Sequence, residues 1–98
     1  MEQADPEIKR KLIGVLTVLF PHAKIYLFGS RAWGKARPLS DFDLAIDESK
    51  KIDRLRIGEA HGMFEGSNFP MKIDIVDLQT LPESWIDRIK KEGILWKS

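Results

Sequence analysis

Cysteine is absent from the 98 residues, which removes disulfides, thiol nucleophiles and thiolate metal sites from consideration. An excess of one charge is absent too. Sixteen basic residues against 15 acidic ones leave a formal net charge of +1, without the basic stripe that marks a general nucleic-acid binder. There is no internal repeat and no low-complexity stretch. Long apolar runs are also lacking: the longest apolar-leaning one, LIGVLTVLF at positions 12–20, falls well short of the ~20 residues a membrane span requires. Because it follows Lys9, Arg10 and Lys11 it imitates a signal peptide, but Glu2, Asp5 and Glu7 spoil the basic region and PHAK is a poor cleavage site. The expectation is a cytoplasmic chain with no membrane partner.

What is present describes a small folded unit. With 43% hydrophobic and 32% charged residues, a chain of this size buries one core and has no room for a second. Residues 1–98 are therefore read as a single domain. Asp5 before Pro6, followed by Ile8, Leu12, Val15, Leu16 and Leu19 at helical spacing, predicts a capped first helix. KIYLFG (24–29), DFDLAID (41–47) and MKIDIVDL (71–78) read as strands. A second helix is expected over Ile52–Glu65, ended by Gly66. A third is opened by Pro82, carries Trp85, Ile86 and Ile89 on one face and closes at Gly93, before a short ILW edge strand. The fold class is α/β in the broad α+β sense: a small mixed sheet backed by helices.

Chemistry concentrates in two places. The turn after the first strand, GSRAWG, combines two glycines, a serine and an arginine, and such a turn offers backbone N–H groups and a hydroxyl to an anion. It is neither a dinucleotide-binding G-x-G-x-x-G nor a G-x-x-x-x-G-K-[ST] P-loop. Beyond it lie Asp41 and Asp43. On one strand their Cα atoms would stand roughly 6–7 Å apart on a shared face, and at about 4 Å between charges, with an effective dielectric near 20, their repulsion reaches on the order of 4 kcal/mol. A cation between them removes that penalty, and hard oxygen ligands suit Mg²⁺; a solvated strand edge is the plainer alternative. Asp74, interrupting the apolar run KIDIVDL, is a third carboxylate that a neighbouring strand could bring beside the first two, whereas Asp77 is expected at the surface.

Taken together, GSRAWGKARPLSDFD and the later IDI strand resemble the Gly-Ser, ten residues, Asp-x-Asp signature of the DNA polymerase beta-type nucleotidyltransferase superfamily, in particular its minimal stand-alone members. The resemblance implies that Asp41, Asp43 and Asp74 are catalytic metal ligands: Asp41 and Asp43 for both ions of a Mg²⁺ pair, with Mn²⁺ an alternative, and Asp74 for one of them. It implies that Gly29 and Ser30 hold the triphosphate. Arg31 occupies a frequently basic position, with a phosphate contact and a carboxylate pairing both open.

The resemblance further implies transfer of NMP, AMP from ATP above all, to an acceptor hydroxyl. Larger relatives carry further domains for base and acceptor, so the acceptor is expected in trans, on a small helical HEPN-type partner of a toxin–antitoxin pair. A small-molecule nucleotidylyltransferase of the aminoglycoside-modifying kind and a non-catalytic module that neutralises a partner are the other readings. His22 and His61 are expected in surface or helix-lining roles. The basic clusters KKIDRLR and RIKKEG read as solvated helix faces. Trp33, Trp85 and Trp96 are candidate anchors for a partner.

Overall fold

A computed structural model describes residues 2–98. Helix α1 spans Pro6–Leu19, with the Asp5 carboxylate accepting from the Glu7 and Ile8 amides and Pro6 in the first turn. There follow β1 (Lys24–Phe28), β2 (Phe42–Asp47), α2 (Arg54–Glu65, capped by Asp53), β3 (Ile73–Asp77), a short 3₁₀ turn (Leu78–Thr80), α3 (Glu83–Glu92) and β4 (Ile94–Lys97). The strands form one sheet in the order β3-β2-β1-β4. Strand β1 pairs antiparallel with both β2 and β4, while β2 and β3 run parallel. The mixed sheet backed by helices is as expected, including the edge strand from ILW.

Alternation assigns the two faces. Ile25, Leu27, Phe42, Leu44, Ile46, Ile73 and Ile75 point to one side and pack with Leu12 and Leu16 of α1 and Ala60 and Phe64 of α2. On the other side Tyr26, Ala45 and Phe28 meet Leu78, Ile86 and Ile89 of the 3₁₀ turn and α3. Register places residues in rows across this second face: Phe28 opposite Asp43 opposite Asp74, and beside it Tyr26 opposite Ala45 opposite Val76. Helix α3 lies against β1, so the β2–β3 end of the first row stays partly open.

Several expectations are corrected. Asp77 is buried, 5% exposed, because its phase along β3 turns it toward the helical layer. There its carboxylate accepts from the Ile52 amide at 2.8 Å and the Gln79 amide at 3.1 Å, tying the approach to α2 onto β3. Strand β2 begins at Phe42, so Asp41 sits on exposed chain just before it rather than on the pleat. The Gly-Ser turn closes locally: the Ala32 and Trp33 amides donate back to the Gly29 carbonyl and the chain then runs on to β2.

Two of the three tryptophans are also committed within the fold. The Trp96 indole N–H donates to Glu2 at 2.8 Å and its ring tilts against Phe42, while that of Trp33 donates to the Glu92 carbonyl at 3.1 Å under the Arg88 guanidinium. Only Trp85 among them is exposed. His22 is on the surface, and His61 is half-buried with its Nε2 2.8 Å from the Ile75 carbonyl.

Candidate active site

The site begins where β1 ends. Gly29 adopts φ +77, a left-handed conformation that L side chains avoid, and a Cβ built on it would collide with the Asp43 carboxylate. Glycine is thus needed twice over, for the turn and for the close approach of backbone to carboxylate. Ser30, the next residue, is half-buried at the head of the turn.

Asp43 occupies the centre of the row. Burial pushes its carboxyl up from 3.8 to about 6, the nearby charges of Asp74 and then Asp41 push in the same direction, and Lys72 partly offsets them. Asp43 thus feels both other aspartates, which are not equivalent: Asp74 is its half-buried cross-strand partner and Asp41 is exposed. Among the described residues no three His, Cys, Asp or Glu side chains are already drawn together tightly enough to hold a metal ion. The donor set itself suits a hard divalent cation, being all carboxylate and mutually repelling, with a raised proton affinity at its middle that a cation would replace.

Gly29, Asp43 and Asp74 form the polar end of a cavity of about 380 Å³. Its remaining wall is apolar: Phe28, Val76, Leu81, Pro82 and Trp85. A cavity of about 440 Å³ opens beyond Val76 and Leu81, but its acidic residue, Asp77, already accepts from two backbone amides. Of the two, only the smaller is lined by Gly29, Asp43 and Asp74.

Arg31 does not join them. Only 7% exposed, it donates from Nε to the Ser40 carbonyl (3.0 Å), from Nη1 to that of Gln3 (2.9 Å) and from Nη2 to that of Pro38 (2.9 Å), with its guanidinium 4.2 Å from the centre of the Phe42 ring. Neither phosphate nor carboxylate is its partner here; three backbone carbonyls are. It staples the loop that delivers Asp41 and Asp43 to the N-terminal segment. Sequence reasoning also missed Lys72, visible only as a cation two residues ahead of Asp74, and the apolar wall, for which the turn between β3 and α3 carries no signature.

The fold recurs in solved structures. A crystal structure of a toxin–antitoxin with AMP-PNP superposes with a TM-score of 0.75 at 26% identity, covering 90% of this chain and 71% of that one. At 24% identity a structure of the tri-AMPylated Shewanella oneidensis HEPN toxin in complex with MNT antitoxin shares the fold, with a TM-score of 0.68 over 90% of this chain and 67% of that one. In sequence, 77 residues are 35% identical to a Haemophilus influenzae protein named "Probable protein adenylyltransferase MntA", covering 79% of this chain and 68% of the relative. The shared fold and the sequence match place the chain in the class of nucleotidyltransferases. The chain belongs to the family described as polymerase beta, nucleotidyltransferase, whose model matches residues 7–98, a family that works with divalent metals. Among the described residues no helix is long and apolar enough to cross a membrane.

Proposed function

We propose that the chain transfers AMP from ATP to a hydroxyl of a small helical HEPN-type partner protein in the cytoplasm, as one catalytic domain with the acceptor supplied in trans. The observation that carries this reading is the row in which Gly29 abuts Asp43 and Asp43 stands opposite Asp74 at the polar end of one cavity. Family membership and the adenylyltransferase relative support it.

In this reading Gly29 and Ser30 offer backbone N–H groups and a hydroxyl to the triphosphate. Asp41 and Asp43 would hold two Mg²⁺ ions and Asp74 one of the two, and the bound pair would supply charge neutralisation at the attacking and leaving oxygens. The residues of the row position the α-phosphate for in-line attack. The acceptor oxygen forms the new P–O bond, the bond to the leaving pyrophosphate breaks, and the hydroxyl proton passes to the carboxylate row. No covalent nucleophile of the protein is required, since position and charge carry the reaction. Arg31 acts at one remove, by fixing the loop that presents Asp41.

The test is co-purification with the neighbour-encoded partner, then intact mass spectrometry after adding ATP and Mg²⁺. The expected outcome is a gain of about 329 Da, one AMP, on a partner hydroxyl. Labelling of a small-molecule acceptor with no nucleotide on any co-purifying protein would replace this reading with that of a small-molecule nucleotidylyltransferase.

A further inference from the structure

The cavity described above has a division the catalytic carboxylates do not use. One end is polar; the wall made by Phe28 of β1, Val76 of β3, the β3–α3 turn and the start of α3 is apolar. Of the five residues on that wall, Phe28, Val76, Leu81 and Pro82 present side chains without a hydrogen-bonding atom. Trp85 presents a large flat ring, 41% exposed. Trp33 and Trp96 spend their indole N–H groups inside the fold, while Trp85 stands in the first turn of α3, its backbone held by the Pro82 carbonyl at 2.9 Å. An exposed aromatic on a helical start, sharing a cavity with Gly29 and the Asp43–Asp74 pair, matches, with divalent cations on the carboxylates, a ligand that is flat and apolar at one end and highly charged at the other. A cavity of about 380 Å³ lies within the range of small-molecule sites, roughly 300–1,000 Å³.

Resting on the nucleotidyl-transfer reading of the same cavity, we infer that Trp85 is the platform on which the nucleobase of the NTP stacks, with Leu81 and Pro82 flanking it. Such a wall selects by stacking area and not by hydrogen bonds to the base edge, because apart from the indole N–H it carries no side-chain donor or acceptor. Purines are therefore held better than pyrimidines, and ATP and GTP bind with similar affinity. The Arg88 guanidinium, 5.5 Å from the centre of the Trp85 ring, adds positive charge beside the platform.

Calorimetric titration with Mg²⁺ and four probes, ATP, GTP, UTP and inorganic tripolyphosphate, tests this on wild type, Trp85→Ala and Trp85→Phe. Trp85→Ala should lose about 10- to 100-fold in ATP and GTP affinity while binding tripolyphosphate as wild type does, the range expected for one lost base-stacking contact. Trp85→Phe should recover most of the loss, and melting temperatures should agree within a few degrees since the residue is exposed. Undiminished ATP binding by Trp85→Ala overturns the platform, and does so in favour of a protein contact if complex formation with the partner falls instead. A large preference for ATP over GTP overturns selection by stacking. Failure of wild type to bind either ATP or tripolyphosphate overturns the nucleotidyl-transfer reading of the cavity, and the platform with it.

Discussion

Asp43 stands directly across the parallel β2–β3 pair from Asp74, both on the face that α3 leaves partly open. With its carboxyl raised from 3.8 to about 6, the folded protein keeps this proton where the unfolded chain has released it. Its contribution to stability therefore falls as pH rises between about 4 and 6 and stays low above. Glu48, held below its usual range by the Arg56 guanidinium, has the opposite sign, so the effect is read as a difference between variants. In metal-free buffer Asp43→Asn should be more stable than wild type by an increment growing across that window, on the order of 1–2 kcal/mol at neutral pH after allowing for solvent screening of the half-exposed group. Its transferase activity should be abolished. Chemical denaturation at a series of pH values, with a chelator present, measures the first; wild-type activity in the variant would remove Asp43 from the mechanism, and loss of folding would give it a structural role instead.

Cations should reverse the repulsion. Mg²⁺ or Mn²⁺ is expected to raise the melting temperature, by the equivalent of about 2.7 kcal/mol at a hundred times the dissociation constant. ATP should raise it further only with the metal present. Differential scanning calorimetry with each ligand alone and together decides it, and a melting temperature unmoved by saturating metal would count against the carboxylate row as a cation site.

Gly29→Ala combines a strained φ with a collision against Asp43. A destabilisation of about 1–3 kcal/mol is expected, together with a drop in transfer of more than tenfold because the carboxylate must move aside. Urea unfolding and initial rates, measured on the same preparation, report the two effects. Preserved activity in a destabilised variant would show that Asp43 tolerates displacement.

Arg31→Ala leaves three carbonyls without their donor and takes a cation from the face of Phe42. The cost should be about 2–4 kcal/mol, and Arg31→Lys should recover less than half of it, because an ammonium does not reproduce the planar fork. Thermal melts give the stability. Mg²⁺ titration of the lysine variant should show weakened binding through a loosened Asp41, which a direct phosphate contact by Arg31 would not produce.

How legible this was depends on the range of the interactions involved. Apolar alternation in KIYLF, FDLAID and IDIVD revealed the strands and the residues they bury, and Asp5, Pro6 and Gly66 marked helix ends through local capping. Asp43 and Asp74 stood out because a charge in an apolar run needs a reason. The misreadings came from distance along the chain. Asp77 is inside because the Ile52 amide, 25 residues away, needs an acceptor. Arg31 is structural because the carbonyls of Gln3, Pro38 and Ser40 converge on it, and a carbonyl has no signature in sequence. The position of Trp85 beside the carboxylates depended on how α3 folds back over the sheet, which no local pattern records.

The row formed by Phe28, Asp43 and Asp74 also has a kinetic meaning. Its β1–β2 half closes through the loop between Phe28 and Phe42, but its β2–β3 half is parallel and waits for α2 to cross over. Non-local pairings of that kind form late in folding. A half-folded chain in which β3 has not yet docked holds Asp43 and Asp74 apart, so their mutual repulsion belongs to the closed sheet. Strain that appears so late acts on the rate of unfolding and leaves the rate of folding nearly unchanged, so the cost of carrying the acidic centre is a shorter lifetime of the ligand-free native state.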